Sequence, residues 1–176
     1  LAKHYGFNNF ESTLPIGMSK NNVGEYWFLK KALTDKLISM NMYEIQTLSF
    51  VSDESNKIFT PEKVSVEIYN PIDQTNKYLR SNLYTSLIDT YQRNYDQNNK
   101  SEMFFEINNV FDAGEHATYE VIPNQVYSLS GLVPSFTNQP DTRKEPTMND
   151  IYFLKNILNN CFGNLTFKQI QKPGFH

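Results

Sequence analysis

The sequence predicts an α+β domain in which an antiparallel sheet is packed by helices. Three observations predict it. Helical and strand-like apolar patterns follow one another as helix, strand, strand, helix, strand, strand, helix, strand. Strands outnumber helices, and the short linkers between them permit antiparallel pairing. No internal repeat and no shift of composition divides the 176 residues.

Residues 1–22 show no clean period and carry Gly6, Pro15 and Gly17, so they read as an extended arm with turns. Tyr26, Leu29, Leu33, Leu37 and Met40 recur at spacings of three and four, which predicts a helix running to Met42 with Asn21 or Asn22 as its N-cap. Residues 43–51 are β-branched and aromatic and predict a strand; residues 53–61 predict a turn. Val64, Val66 and Ile68 alternate with polar residues, as a half-buried strand does. Asn70-Pro71 breaks the chain, because proline pushes the residue before it out of the α region. Leu79, Leu83, Leu87 and Tyr91 at steps of four predict a second helix, ending near the Asn-rich stretch 94–99. Residues 102–111 hold apolar side chains on both parities, which predicts a central strand covered on both faces. A polar loop over 113–124 leads to a strand over 126–133, where Gly131 leaves room for a close approach. After a loop with three prolines over 134–146, Ile151, Leu154, Ile157, Leu158 and Cys161 mark a third helix with Gly163 as its C′ residue. Residues 165–170 predict a last strand.

Composition excludes several functions. Lys+Arg number 16 against 19 Asp+Glu, a net charge of −3, which argues against a dedicated nucleic-acid coat. Aromatic residues reach 14%, so the core is built from a few large rings. A single Cys excludes an internal disulfide framework, and Cys161 on an apolar helical stripe reads as a buried thiol. No apolar run approaches the ~18 residues of a membrane span, and the sequence contains no charged-then-apolar leader that would signal export. His4, His116 and His176 stand apart from one another and from Cys161, which predicts no zinc site. There is no Gly-rich phosphate loop, no GxSxG and no HExxH. Asn164-Leu165-Thr166 matches a glycosylation sequon by chance. Glu102 and Glu106 share a strand face but sit roughly 13 Å apart, too far for acid–base partnership. The residues describe a scaffold without a visible catalytic kit. Both ends, Leu1 without Met and Pro173-Gly174-Phe175-His176, read as cuts in something longer.

Several phrases taken in order resemble one family. They are Tyr5-Gly6-Phe7-Asn8-Asn9-Phe10 with Thr13-Leu14-Pro15; Glu44-Ile45-Gln46-Thr47-Leu48-Ser49-Phe50-Val51; and Asn70-Pro71-Ile72 with Leu79-Arg80-Ser81-Asn82-Leu83. Phe105-Glu106-Ile107 with Val110-Phe111, then Leu129-Ser130-Gly131-Leu132, then Asp150-Ile151-Tyr152-Phe153-Leu154-Lys155, and finally Phe175-His176 complete the set. Together they resemble the catalytic-like module of bacterial phenylalanyl-tRNA synthetase β chains. Asn156 after Lys155, Asn108 after Ile107, and Trp27 as the sole Trp depart from the family pattern.

The resemblance implies a class II aminoacyl-tRNA synthetase-like core lacking catalytic motifs. It implies one module over 1–176: an N-terminal arm over 1–22 and a core over 23–176, cut before its last strands. Residues 23–51 take the place of motif 1, an interface element, and the strands at 103–111 and 126–133 the place of motif 2. A working motif 2 holds ATP with an Arg, whose planar fork grips phosphate bidentately. Ile107-Asn108-Asn109-Val110-Phe111-Asp112 has none, and Asp112 would repel phosphate. The expected role is therefore a non-catalytic, interface-forming module of a ligase β subunit. It would support charging of tRNA(Phe) with phenylalanine by the α subunit in an (αβ)₂ heterotetramer of the cytoplasm. ATP and Mg²⁺ would serve the whole complex, with no cofactor or metal in this piece and no membrane. The expected interface residues are Tyr26, Trp27, Asn70 and Arg80, the last placed at a helix start and matched to a carboxylate across an interface. Retained adenylate-forming chemistry is one alternative; a free-standing class II-like paralogue binding an amino acid or tRNA is another.

Overall fold

The computed structural model describes residues 1–13, 24–114, 122–137 and 147–168. The expected caps Asn21 and Asn22, most of the loop at 113–124, His116, His176 and the end of the expected last strand lie outside the described residues. Helix α1 (Ala2–Tyr5) and a 3₁₀ turn (Phe7–Asn9) open the chain, so its first residues coil where an extended arm was expected. Gly6 at φ +90° makes the bend between them.

Helix α2 (Glu25–Ser39) starts on Gly24 and buries Leu37, with Leu33 packed beside it. Asn41 at φ +65° turns the chain into strand β1 (Met42–Glu44); Asn tolerates this left-handed geometry better than most residues. The strand expected over 43–51 is two strands. The chain leaves β1 and re-enters another sheet as β2 (Phe50–Val51).

The turn expected at 53–61 is a helix, α3 (Asp53–Phe59). Ser52 caps it by accepting from the Ser55 N–H at 3.2 Å, and Asp53 and Glu54 suit the positive end of its dipole. Strands β3 (Val66–Glu67) and β4 (Tyr78–Leu79) follow, and β2-β4-β3 form a small antiparallel sheet. The second helix, α4 (Tyr84–Asp96), begins five residues later than the Leu79 stripe suggests. Leu79 pairs with Phe50 and Val66, and the Arg80 N–H donates to the Ser49 carbonyl at 3.0 Å, so strand bonding claims these residues first.

Strand β5 (Met103–Asp112) is the centre of the main sheet. It pairs antiparallel with β6 (Asn124–Leu132) from Phe104↔Leu132 to Asp112↔Asn124. Its other neighbour, β1, runs parallel to it, the one departure from the antiparallel sheet expected. Gly131 faces Met42, whose terminal methyl a Cβ would meet at 3.3 Å, the close approach foreseen there. Strands β7 (Phe136–Thr137) and β8 (Thr147–Met148) pair where a plain loop was expected. Helix α5 (Ile151–Phe162) is capped by Asp150 and ends on Gly163 at φ +84°. Residues 165–168 form no strand.

Both faces of β5 are covered. Met103, Phe105 and Ile107 pack with Leu37 of α2 and with Ile157 and Cys161 of α5. Phe104 and Val110 face the other way, onto Leu83 and Leu87 at α4. The pleat divides one strand between two cores.

Candidate functional site

The charged centre of the molecule is internal. Arg80 Nη1 lies 3.0 Å from Glu106 Oε1, and both side chains are 0% exposed. Glu106 sits on the α4 face of β5 between Phe104 and Val110, where an ionised carboxylate needs partners. It has four. Arg80 donates to Oε1, the Thr47 N–H donates to Oε1 at 3.2 Å, the Thr47 hydroxyl donates to Oε2 at 2.8 Å, and Asn108 Nδ2 donates to Oε1 at 3.1 Å. Arg80 in turn donates from Nε to the Asn109 carbonyl at 3.0 Å and from Nη1 to Thr47 Oγ1 at 2.8 Å. Its Nη2 and Asn109 Oδ1 have no hydrogen-bond partner among the described residues.

The same residue joins the two sheets through its main chain. The Arg80 N–H reaches Ser49 next to β2, and its carbonyl accepts from the Phe111 N–H of β5 at 2.9 Å. Beside it, buried Asn56 of α3 fixes the segment that follows. Its Oδ1 accepts from the Ser81 N–H at 2.9 Å and from the Ser81 hydroxyl, and its Nδ2 donates to the Leu79 carbonyl. Asn82 then caps α4, accepting from the Tyr84 N–H at 3.0 Å. One short stretch thus fixes a sheet junction, a strand end and a helix start.

These contacts correct the expectation for Arg80. It stands after a strand instead of at a helix start, its carboxylate partner is Glu106 of the same chain, and it has no surface to offer a second subunit. Asn70 lies in an exposed bend and caps no helix. The Asx turn that follows is made by Asp73, which accepts from the Thr75 N–H at 2.8 Å. Tyr26 and Trp27 do lie at the surface, on the first turn of α2. Tyr26 stacks on Tyr127 of β6 with ring centroids 3.9 Å apart; burial first, and then the Tyr127 hydroxyl, push its phenol up. Trp27 meets Phe28 edge-on, and with Leu29 they form an unbroken apolar run that is more than half exposed.

At the far end of β5, Asp112 holds the Gly114 N–H at 3.0 Å and lies 3.4 Å from the Lys63 ammonium. The backbone hydrogen bond first, and the Lys63 charge after it, hold its carboxyl below the usual range. An anion therefore stands at the strand end where a phosphate-binding Arg was sought. Glu106 is the residue that sequence reasoning missed. A lone charge among Met103, Phe104, Phe105 and Ile107 was the signal, since a charge in a two-sided buried strand must be paired.

The sheet and its helices are shared with known synthetases. The pyrrolysyl-tRNA synthetase from Desulfitobacterium hafniense superposes with a TM-score of 0.54 at 13% identity, over 81% of this chain and 48% of that one. That likeness establishes the class II-like fold. The family model described as the phenylalanyl-tRNA synthetase beta chain CLM domain matches residues 10–176. The chain belongs to that family. Its CLM domain is 28% identical over 170 residues to the phenylalanine–tRNA ligase beta subunit of Carboxydothermus hydrogenoformans, covering 94% of this chain and 21% of the relative. It is 24% identical over 186 residues to the beta subunit of Halalkalibacterium halodurans, covering 100% of this chain and 23% of the relative. The CLM domain thus spans about a fifth of the length of the curated relatives it matches. None of its described helices is long and apolar enough to cross a membrane.

Proposed function

We propose that the chain is a non-catalytic, interface-forming module of the β subunit of phenylalanyl-tRNA synthetase. In this reading it acts through an α subunit that charges tRNA(Phe), within an (αβ)₂ complex. The observation that carries the reading is the head of α2, where Trp27, Phe28 and Leu29 stand more than half exposed while Leu33 and Leu37 hold the helix to the core. A contiguous aromatic run on an anchored helix is the composition of an interface anchor. The absence of catalysis is supported by charge placement. Arg80 is neutralised inside the fold, and the end of β5 carries Asp112, a charge unsuited to holding phosphate. ATP and Mg²⁺ belong, in this reading, to the α subunit's site.

The test uses the complete β chain carrying Trp27→Ala and Phe28→Ala, co-purified with the α chain. Both side chains are exposed, so the circular dichroism and melting temperature should hold. Assembly should weaken by about thirtyfold or more, the loss expected for a hot-spot pair. Assembly equal to that of the parent chain would overturn the reading.

A further inference from the structure

We propose that residues 46–51 form a strap that opens as a unit, with Thr47 as its latch, while the rest of the domain stays folded. The strap runs between two anchors. On one side the Ile45 N–H donates to the Phe105 carbonyl of β5 at 2.9 Å. On the other, buried Asn56 of α3 is bonded to Leu79 and Ser81. Between the anchors the chain crosses from the main sheet to the small one, and no side chain from 46 to 51 is buried. Gln46, Leu48 and Phe50 are exposed, Leu48 to 76%.

One pair of residues fastens the strap. Among the described residues, every hydrogen bond made by 46–49 ends on Arg80 or Glu106. The Thr47 N–H donates to Glu106 Oε1 at 3.2 Å, and its hydroxyl donates to Oε2 at 2.8 Å. The same hydroxyl accepts from Arg80 Nη1 at 2.8 Å, and the Ser49 carbonyl accepts from the Arg80 N–H at 3.0 Å. Strand β2 then adds only Phe50 opposite Leu79 and Val51 opposite Tyr78. Opening uncovers little apolar surface, so little hydrophobic stabilisation is lost. It also lets water reach Arg80 and Glu106, which relieves the desolvation that burial imposes on a charged pair. Segments with few buried apolar contacts are the ones that open locally. Arg80 itself stays on β5, through its Nε on the Asn109 carbonyl and its own carbonyl on the Phe111 N–H. The strap is one wall of a cleft of about 660 Å³, and α4 supplies the other with Asp89, Thr90 and Arg93. The strap therefore gates that cleft. The device does not depend on whether the module docks on an α chain.

Hydrogen–deuterium exchange of the complete β chain tests it, read by mass spectrometry at increasing urea below the unfolding transition. The peptide holding 46–51 should be protected, yet exchange at least about thirtyfold faster than the peptide spanning β5 and with almost no urea dependence. Thr47→Val keeps the shape and the N–H bond but removes the hydroxyl, and should speed exchange of the strap about tenfold. Thr47→Ser keeps the hydroxyl and should stay within about threefold of the parent chain. A strap that matches β5 in rate and urea dependence would mean that no separate unit exists. A strap as unprotected as an unfolded peptide, or one indifferent to Thr47→Val, would mean that Thr47 latches nothing. Each of these results would overturn the proposal.

Discussion

The junction at Arg80 and the head of α2 invert the ordinary distribution of residues. At the junction a guanidinium and a carboxylate lie wholly inside, 3.0 Å apart. At the head of α2 a Trp, a Phe and a Leu lie in solvent. Charged groups are rarely fully buried, and contiguous large apolar groups are rarely left exposed. The two exceptions have different explanations. The buried pair takes its partners, Thr47, Asn108 and the Asn109 carbonyl, from one chain, so it serves that chain's fold. The exposed run keeps more than half of each side chain in solvent, which is the property the proposed interface role uses.

The largest losses of stability are expected at the junction. Arg80→Ala leaves Glu106 buried without its cation, and Glu106→Ala leaves Arg80 without its anion. Each should cost about 3–5 kcal/mol in urea denaturation. Replacing both with apolar residues, Arg80→Met with Glu106→Leu, should cost far less, since no unpaired charge remains. A double variant as unstable as the sum of the singles would mean that Arg80 and Glu106 act separately.

The opposite face of the same strand supplies the control. Phe105 is 0% exposed and packs among Leu37, Ile157 and Cys161, so Phe105→Ala should cost about 3–5 kcal/mol through lost burial and a cavity. A compensating second substitution of the Arg80→Met kind has no counterpart here. Asn56→Ala comes next. It strands the Ser81 N–H and the Leu79 carbonyl, and should cost about 1–3 kcal/mol, measured as a lowered urea midpoint with an unchanged slope.

The reading of the sequence succeeded and failed for identifiable reasons. Strand β5, β6 and helix α5 were legible, because each is nine residues or longer, β5 as an apolar run on both parities and α5 as a stripe at helical spacing. The two-sided burial of β5 followed from Phe104 and Phe105 standing on opposite parities. Strands of two residues have no period at all, which is why β2, β3 and β4 merged into longer or different elements. Helix α3 spans seven residues and is specified by the Ser52 cap more than by any apolar stripe. Leu79 mimicked a helical position only because it sits four residues before Leu83; its hydrogen bonding is decided by Ser49 and Phe50, thirty residues away in sequence. Tyr26 and Trp27 adjoin in the sequence, so their grouping was legible while their exposure was not, and the Arg80–Glu106 pair requires knowledge of which strands are neighbours.

At the surface the effects become smaller. Trp27→Ala should leave stability within about 0.5 kcal/mol while lowering the affinity for the α chain, which separates the two regions by their readouts. Smallest is the acid response of Asp112. Its carboxyl is held below the usual range in the folded chain, so its contribution is present above the ordinary Asp pKa of about 3.9 and is lost as pH falls through the folded value. Because the side chain is 38% exposed, the effect should stay below about 1 kcal/mol. Comparing Asp112→Asn with the parent chain in urea at pH 7 and at pH 3 should show a difference at the higher pH that shrinks at the lower.

That Arg80 serves the fold, and not a ligand or a partner, is the claim on which the comparison turns. A double-mutant cycle on Arg80 and Glu106, followed by urea denaturation, tests it most directly. The account predicts a coupling of about 2 kcal/mol or more between the two residues, carried entirely within one chain. Additivity within about 0.5 kcal/mol would contradict it.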